Sequence, residues 1–225
     1  PATVERLFDT HPEATPDLER IRQVVQADYQ KPVLIIDSSI VREKARRFQA
    51  AMPRVRPHYA VKANPDPRVL RTLIAEGCGF EIASIAELDL LLSLGVPAAE
   101  VFYSNPMKSR EYVTYAAAKG VEWFVIDSVE ELRKVHSVKA DAKLYLRIDT
   151  PNIGSDWPLS GKFGAGASEC KEIIATAARI GADLAGVTFH VGSQCRSPED
   201  FGVALAQARR IWNHAAAEGI ELEVL

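Results

Sequence analysis

The feature that most constrains the fold of this 225-residue chain is a rhythm. Short β-branched and aromatic runs recur at 57–61 (PHYAV), 79–83 (GFEIA), 101–104 (VFYS), 123–126 (WFVI) and 143–149 (KLYLRID), with middles about 22 residues apart. That spacing holds one strand and one helix. Further strands are expected at 33–36, 184–191 and 221–225. Helical periods fill the gaps. Residues 39–52 put Val41, Ala45, Phe48 and Met52 on one face, 169–180 do the same with Ile173, Ile174 and Ala177, and 199–217 with Phe201, Leu205, Ala208 and Trp212. "AEGCG", "SLGVP", "AKGVE", "RIGAD" and "AEGIE" each set a glycine after a helix and just before the next strand, the left-handed stop that a short loop needs. Regular strand–helix succession means parallel strands with right-handed crossovers. A doubly wound sheet and a (β/α)8 barrel both fit. No GxGxxG follows the first strand, so a dinucleotide-binding domain loses support, and the even repeat favours the barrel.

Residues 150–168 (TPNIGSDWPLSGKFGAGAS) break the rhythm. They are dense in Gly, Pro and Ser and follow the fifth regular strand, so they fall at the C-terminal face, where barrel enzymes keep their chemistry. A segment this long without a period is expected to be a mobile lid.

Charge narrows the partners. The formal net charge is −3 and the basic residues are dispersed, which argues against nucleic acid and against an anionic membrane. No apolar run approaches the roughly 20 residues of a membrane span, and no signal-peptide pattern opens the sequence. Three cysteines, Cys78, Cys170 and Cys195, lie far apart with no CxxC. This argues against a disulfide framework or a structural zinc and for a reducing, cytoplasmic setting.

Side chains alternate along a strand. In 57–62, His58, Ala60 and Lys62 share one face. Glu81 opposes Phe80 and Ile82; Tyr145, Arg147 and Asp149 oppose Leu144, Leu146 and Ile148; Thr188 and His190 oppose Val187, Phe189 and Val191. If the large apolar set packs on the helices, Lys62, Glu81, Arg147 and His190 converge inside the barrel. Burying unpaired charges costs several kcal/mol each, so such groups persist where they pair or serve a site. An interior salt-bridge network also satisfies the alternation. A lysine in a largely closed pocket has a use of its own. Its neutral amine can form a Schiff base, which is how pyridoxal phosphate is held.

At that point the chain resembles a known family. "YAVKAN" (59–64) is similar to the cofactor-lysine motif of the fold-type III pyridoxal-phosphate enzymes, whose barrel is of the alanine racemase type. "GFEIASIAEL" (79–88), "FYSNPMK" (102–108), "LRID" (146–149), "KFGA" (162–165) and "FHVGSQC" (189–195) follow in the order of the ornithine/diaminopimelate/arginine decarboxylase group. "NPMK" and "ASIAEL" resemble its ornithine-specific members. The resemblance implies that Lys62 carries pyridoxal 5'-phosphate and that His190 stacks on its ring. It implies that Ser193 serves the phosphate, that Glu81 stands for a family acidic residue, usually Asp, and that Arg147 belongs to the charged network beneath the ring. Asn105, at a strand end, and Lys162 and Phe163, in the lid, are expected near the substrate.

The same resemblance implies decarboxylation of a basic amino acid, L-ornithine first and L-lysine second, yielding a diamine such as putrescine. Diaminopimelate decarboxylation, racemisation, or a non-catalytic cofactor-binding or regulatory role are the alternatives. It implies a (β/α)8 barrel over 31–225, incomplete at about seven strands. Residues 1–30 would pack with a C-terminal β-domain that this sequence lacks, in a homodimer with shared active sites. The 225 residues alone are expected to be inactive.

Overall fold

The computed structural model describes residues 17–26, 34–159 and 161–225. The described residues fall into two compact units, one of those up to Tyr59 with Asn64–Gly79 and one of Ala60–Ala63 with those from Phe80 to Leu225.

The first unit contains helices α1 (Leu18–Gln26), α2 (Ser38–Ala51) and α3 (Pro67–Ala75). Asp37 starts α2 by accepting from the Ser39 N–H at 2.8 Å. Asp66 starts α3 by accepting from the Arg68 N–H at 2.8 Å, with Pro67 in the first turn, where its missing N–H costs nothing. Arg42 and Arg46 of α2 reach the Glu76 carboxylate, and the Gln49 amide donates to the Glu76 carbonyl at 2.7 Å, so α2 is stitched to the end of α3. Val41, Ala45 and Phe48 face an apolar groove with Tyr59 and Leu73, as the helical period predicts; Met52, the fourth of that set, ends the helix and is exposed. The strand expected at 33–36 does not form over 34–36, and residue 33 lies outside the described residues. Leu34 is 86% exposed, and a β-branched run becomes a strand only where another strand pairs with it.

The strands are β1 (His58–Ala60), β2 (Gly79–Ile82), β3 (Val101–Tyr103), β4 (Trp123–Ile126), β5 (Lys143–Arg147), β6 (Ser155–Trp157), β7 (Leu184–Thr188) and β8 (Ser193–Cys195). Six of them form one sheet in the order β1-β2-β3-β4-β5-β7. The pairs from β2 to β7 are parallel, with Glu81 opposite Phe102 and Arg147 opposite Thr188. A doubly wound sheet reverses its order at a switch point. Here the order follows the sequence without reversal, which is the succession of a (β/α)8 barrel, incomplete in this chain.

Helices α4 (Ile85–Ser93), α5 (Arg110–Ala118) and α6 (Val129–Val138) each begin on a serine whose Oγ accepts an N–H of the first turn: Ser84 from Glu87, Ser109 from Tyr112, Ser128 from Glu131. Helix α7 (Ala167–Ile180) follows the long loop. Phe80, Ile82, Leu144 and Leu146 of the sheet are buried, as are Leu88, Leu91, Val113, Leu132, Ile173 and Ile174 of the helices. The five helix-stop glycines, Gly77, Gly95, Gly120, Gly181 and Gly219, all take positive φ.

Four expectations need correction. The strand expected over 143–149 stops at Arg147, after which Ile148 makes a single parallel bridge to Ala165. The strand expected over 184–191 stops at Thr188. Residues 221–225 form no strand, only a bridge from Val224 to Gly186. A Cβ at Gly186 would meet Val224 Cγ2 at 2.4 Å, so the glycine is what lets the chain pass so near. Helix α8 (Pro198–Ala217) is rotated from its expected face. Asp200, Ala204, Ala208 and Ala215 are buried, whereas Phe201 and Leu205 are 48% and 47% exposed. Small alanines let the helix approach closely, and the Asp200 carboxylate is drawn inward by the Gly154 N–H at 2.9 Å.

The 150–168 segment is not structureless. β6 pairs antiparallel with β8, Ser155 opposite Cys195 and Trp157 opposite Ser193. Among the described residues no helix is long and apolar enough to cross a membrane, and no group of three or more His, Cys, Asp or Glu is placed to hold a metal ion. All three cysteines are free.

Candidate active site

A cleft in the second unit opens at the C-terminal ends of the parallel strands. Lys62 enters it from the 3-10 turn Val61–Ala63 that ends β1, Glu81 from β2, Ser104 from the residue after β3 and Val125 from β4. Tyr145 and Arg147 enter from β5, Thr188 from the end of β7, and Phe189 and His190 from the chain beyond it. The period-2 alternation accounts for most of this: Tyr145 and Arg147 share a face, as do Thr188 and His190, and Val187 goes to the core.

Lys62, Glu81, Arg147 and His190 therefore line one cleft. The Lys62 amine, the Glu81 carboxylate and the Arg147 guanidinium have no hydrogen bond or ion pair to another side chain among the described residues. Three uncommitted charged groups on one cleft leave their bonding capacity for a ligand. Arg147 is half-buried. Burial lowers its pKa, and the Asp127, Glu81 and Asp149 carboxylates oppose that fall. Its guanidinium lies over the Phe163 ring, 5.1 Å from the centroid, and the Lys162 ammonium lies over the same ring at 5.3 Å.

His190 is held from two sides. Its Nδ1 accepts from the Gly192 N–H at 2.9 Å, so a neutral ring carries its proton on Nε2. Its carbonyl accepts from the Asn152 amide at 3.0 Å and from the Thr150 hydroxyl at 3.3 Å. Burial, and then the Arg147 and Lys62 cations, push the imidazole below its usual value of 6.5, so the ring is neutral near pH 7.

The "KFGA" segment docks on the end of β5. Ala165 N–H donates to the Arg147 carbonyl and Asp149 N–H to the Ala165 carbonyl, both at 2.9 Å. Gly164 N–H donates to Asp127 at 3.1 Å. Gly164 has φ +96°, and a Cβ there would meet the Ile148 and Asp149 backbone at 2.7 to 2.8 Å. Only glycine brings Phe163 beside Arg147 in this way.

The remaining expected residues stand apart from the cleft lining. Ser193 is exposed on β8. Asn105 turns back on its own loop, its amide donating to the Ala83 carbonyl at 3.4 Å and its oxygen accepting from the Met107 N–H at 3.3 Å. Lys162 and Phe163 meet the cleft through the ring contact with Arg147.

Two groups escaped the sequence reading. Ser104 and Tyr145 bring hydroxyls 2.9 Å apart into the cleft wall. Lys108, 4% exposed, lies behind it, donating to the Val125 carbonyl at 2.7 Å and the Asn105 carbonyl at 2.9 Å, and pairing with Glu131 at 2.9 Å. Burial lowers the Lys108 pKa and the Glu131 carboxylate opposes it. This lysine staples the ends of β3 and β4 to α6.

Comparison with known proteins gives a consistent family. The pyridoxal binding domain of the pyridoxal-dependent decarboxylases matches residues 38–225. Ornithine decarboxylase of Mus musculus is 38% identical over 92% of this chain and 45% of its own length. Antizyme inhibitor 2 of Xenopus laevis is 35% identical over the same shares, 92% and 45%. The Paramecium bursaria Chlorella virus arginine decarboxylase, in a structure bound to agmatine, superposes with a TM-score of 0.87 at 28% identity, over 91% of this chain and 56% of that one. The chain spans about half the length of the curated relatives it matches.

Proposed function

We propose that this chain, which belongs to the pyridoxal-dependent decarboxylases through their pyridoxal binding domain, supplies the cofactor half of a carboxy-lyase acting on a small basic amino acid, L-ornithine first. The observation that carries this reading is the uncommitted Lys62 amine on one cleft with His190, Glu81 and Arg147.

The donor set fits pyridoxal phosphate. A primary amine at a strand end can take the aldehyde, a neutral imidazole offers a flat face to the ring, and Lys62 and Arg147 make the cleft attractive to an anion. Lys62 would hold the cofactor covalently. His190, its ring fixed by Gly192 and its carbonyl by Asn152, would keep the ring plane in place. Glu81 and Arg147 would set the charge beneath it, and Ser193 is proposed for the phosphate side. Bound pyridoxal phosphate would supply the electron sink for the pair left when carbon dioxide departs. The protein's part is to orient the scissile bond and exclude water.

The homodimer with shared sites, the cytoplasmic setting and the remaining β-domain belong to the same proposal. A second reading has support too: antizyme inhibitor 2 matches nearly as well as ornithine decarboxylase, so a cofactor-binding or regulatory homologue without turnover is the competitor. Assay of the full-length protein with L-ornithine and L-lysine separates the two. Release of carbon dioxide and diamine, dependent on added pyridoxal phosphate, is the expected result. Cofactor binding without release would favour the regulatory reading.

A further inference from the structure

The cleft contains two hydroxyls that the chemistry above leaves unused. Ser104 directly follows β3 and Tyr145 lies within β5; both line the cleft, and their oxygens are 2.9 Å apart. Two hydroxyls carry two protons, and their mutual hydrogen bond takes only one. Neither hydroxyl has another hydrogen-bond partner among the described residues. Tyr145 is 4% exposed, cut off from water, whereas Ser104 is half-buried. A buried O–H without an acceptor is destabilising, so Tyr145 donates its proton to Ser104 Oγ, the acceptor within reach. Burial holds the phenol well above its usual value, against the opposing pull of the Ser104 hydrogen bond, so that proton stays in place at any ordinary pH. The Ser104 proton is then left over. Glu81 lines the same cleft, yet no hydrogen bond joins it to Ser104.

We infer that Ser104 is a binding residue of this cleft, donating a hydrogen bond to an acceptor atom of pyridoxal phosphate, and that Tyr145 is a positioning residue that orients the Ser104 hydroxyl. This rests on the cofactor reading given above. A hydroxyl that already accepts a hydrogen bond is a better donor, because each bond in a chain polarises the next. Tyr145 acts only through Ser104, so removing both should cost no more than removing Ser104 alone.

The test is titration of pyridoxal phosphate into the full-length protein and into its Ser104→Ala, Tyr145→Phe and doubly substituted forms, followed by spectroscopy. Borohydride reduction and peptide mapping of Lys62 run alongside. Ser104→Ala is expected to weaken cofactor binding about 3- to 10-fold, the loss of one hydrogen bond, and, because it strands the buried Tyr145 O–H, to lower the melting temperature of the cofactor-free protein, an effect the double form should relieve by removing that O–H. Tyr145→Phe is expected to weaken it about 2- to 4-fold, and the double form to match Ser104→Ala. Wild-type affinity in Ser104→Ala, with Lys62 still labelled, overturns this inference and leaves the cofactor reading intact. Losses that add in the double form overturn the positioning role of Tyr145. No binding and no labelling of Lys62 in the unsubstituted protein sinks both.

Discussion

Lys62 owes its place to where β1 stops. Three residues of strand give way to a 3-10 turn, Val61 turns into the core with 0% exposure, and the next side chain projects into the cleft. Because Lys62 is exposed and makes no hydrogen bond among the described residues, Lys62→Ala should leave folding stability within about 0.5 kcal/mol of the wild type. The same change should abolish covalent cofactor attachment in the full-length protein and nearly all turnover. Visible absorbance of the bound cofactor and a thermal melt read the two effects separately, and borohydride labelling of a different lysine would show the assignment to be wrong. Alternation within strands made Lys62, Glu81, Arg147 and His190 legible as one set, because polar residues on a face otherwise turned from the helices stand out. Ser104 gave no such signal: it closes the expected run 101–104, which the structure ends at Tyr103, and an uncharged hydroxyl at the end of a strand reads as ordinary until the Tyr145 hydroxyl is brought to 2.9 Å from it. Lys108 was hidden for another reason. A lysine reads as surface in any sequence, and its burial depends on Glu131 and two carbonyl groups that only the folded chain brings near.

At the scale of elements, the helix stops and the strand–helix rhythm were readable because both are local. What stayed unreadable was pairing at a distance. The β6–β8 pair joins residues on either side of α7, and no period in 150–168 announces it. Asn152 anchors that segment: it is 3% exposed, its amide donates to the Thr150 and His190 carbonyls, and its oxygen accepts from the Leu159 N–H at 2.7 Å. Ile153 beside it is 90% exposed and Trp157 69%. An anchored base with an exposed tip is the build of a lid, which is how we propose the segment works. Asn152→Ala should cost about 1–3 kcal/mol through the stranded carbonyl and N–H groups and should speed protease cutting within 150–168, with bound cofactor slowing it. Equal cutting rates in both proteins, with and without cofactor, would count against the anchor and the lid together. Gly164→Ala tests the other end of the segment. Positive φ and the backbone contact at 2.7 Å should together cost about 1–3 kcal/mol and loosen Phe163 from Arg147. A melting temperature equal to the wild type would contradict that geometry.

For the molecule as a whole, the buried titratable groups set the pH range in which the second unit stays folded. Burial pushes the Cys170 thiol from 9.0 up to about 12, and the Tyr103 phenol from 10.0 up to about 12. The Tyr145 phenol also lies well above its usual 10.0. Each is an acid whose protonated form suits the folded state. The unfolded chain releases these protons first, so their stabilisation is full below pH 9 and is lost as pH climbs from about 9 toward about 12. Lys108 works the other way. Its folded pKa lies below the 10.5 of the unfolded chain, so stability rises with pH as it deprotonates, and that gain is complete by about 10.5. Below that point one base opposes three acids; above it the acids act alone, so the decline should steepen. On the acid side, His190 sits below 6.5, and its contribution is lost as pH falls through its depressed value. The melting temperature should therefore hold a plateau near pH 7 to 9, fall gently to about 10.5 and steeply beyond it. Cys170→Ala and Tyr103→Phe isolate the cause. Both remove packed atoms from positions 1% exposed and should lower the melting temperature on the plateau, and each should also flatten the alkaline slope. The slope is the quantity that decides, since lost packing alone shifts the curve without changing its dependence on pH. Alkaline slopes identical to wild type in both variants would mean that neither buried group governs the limit.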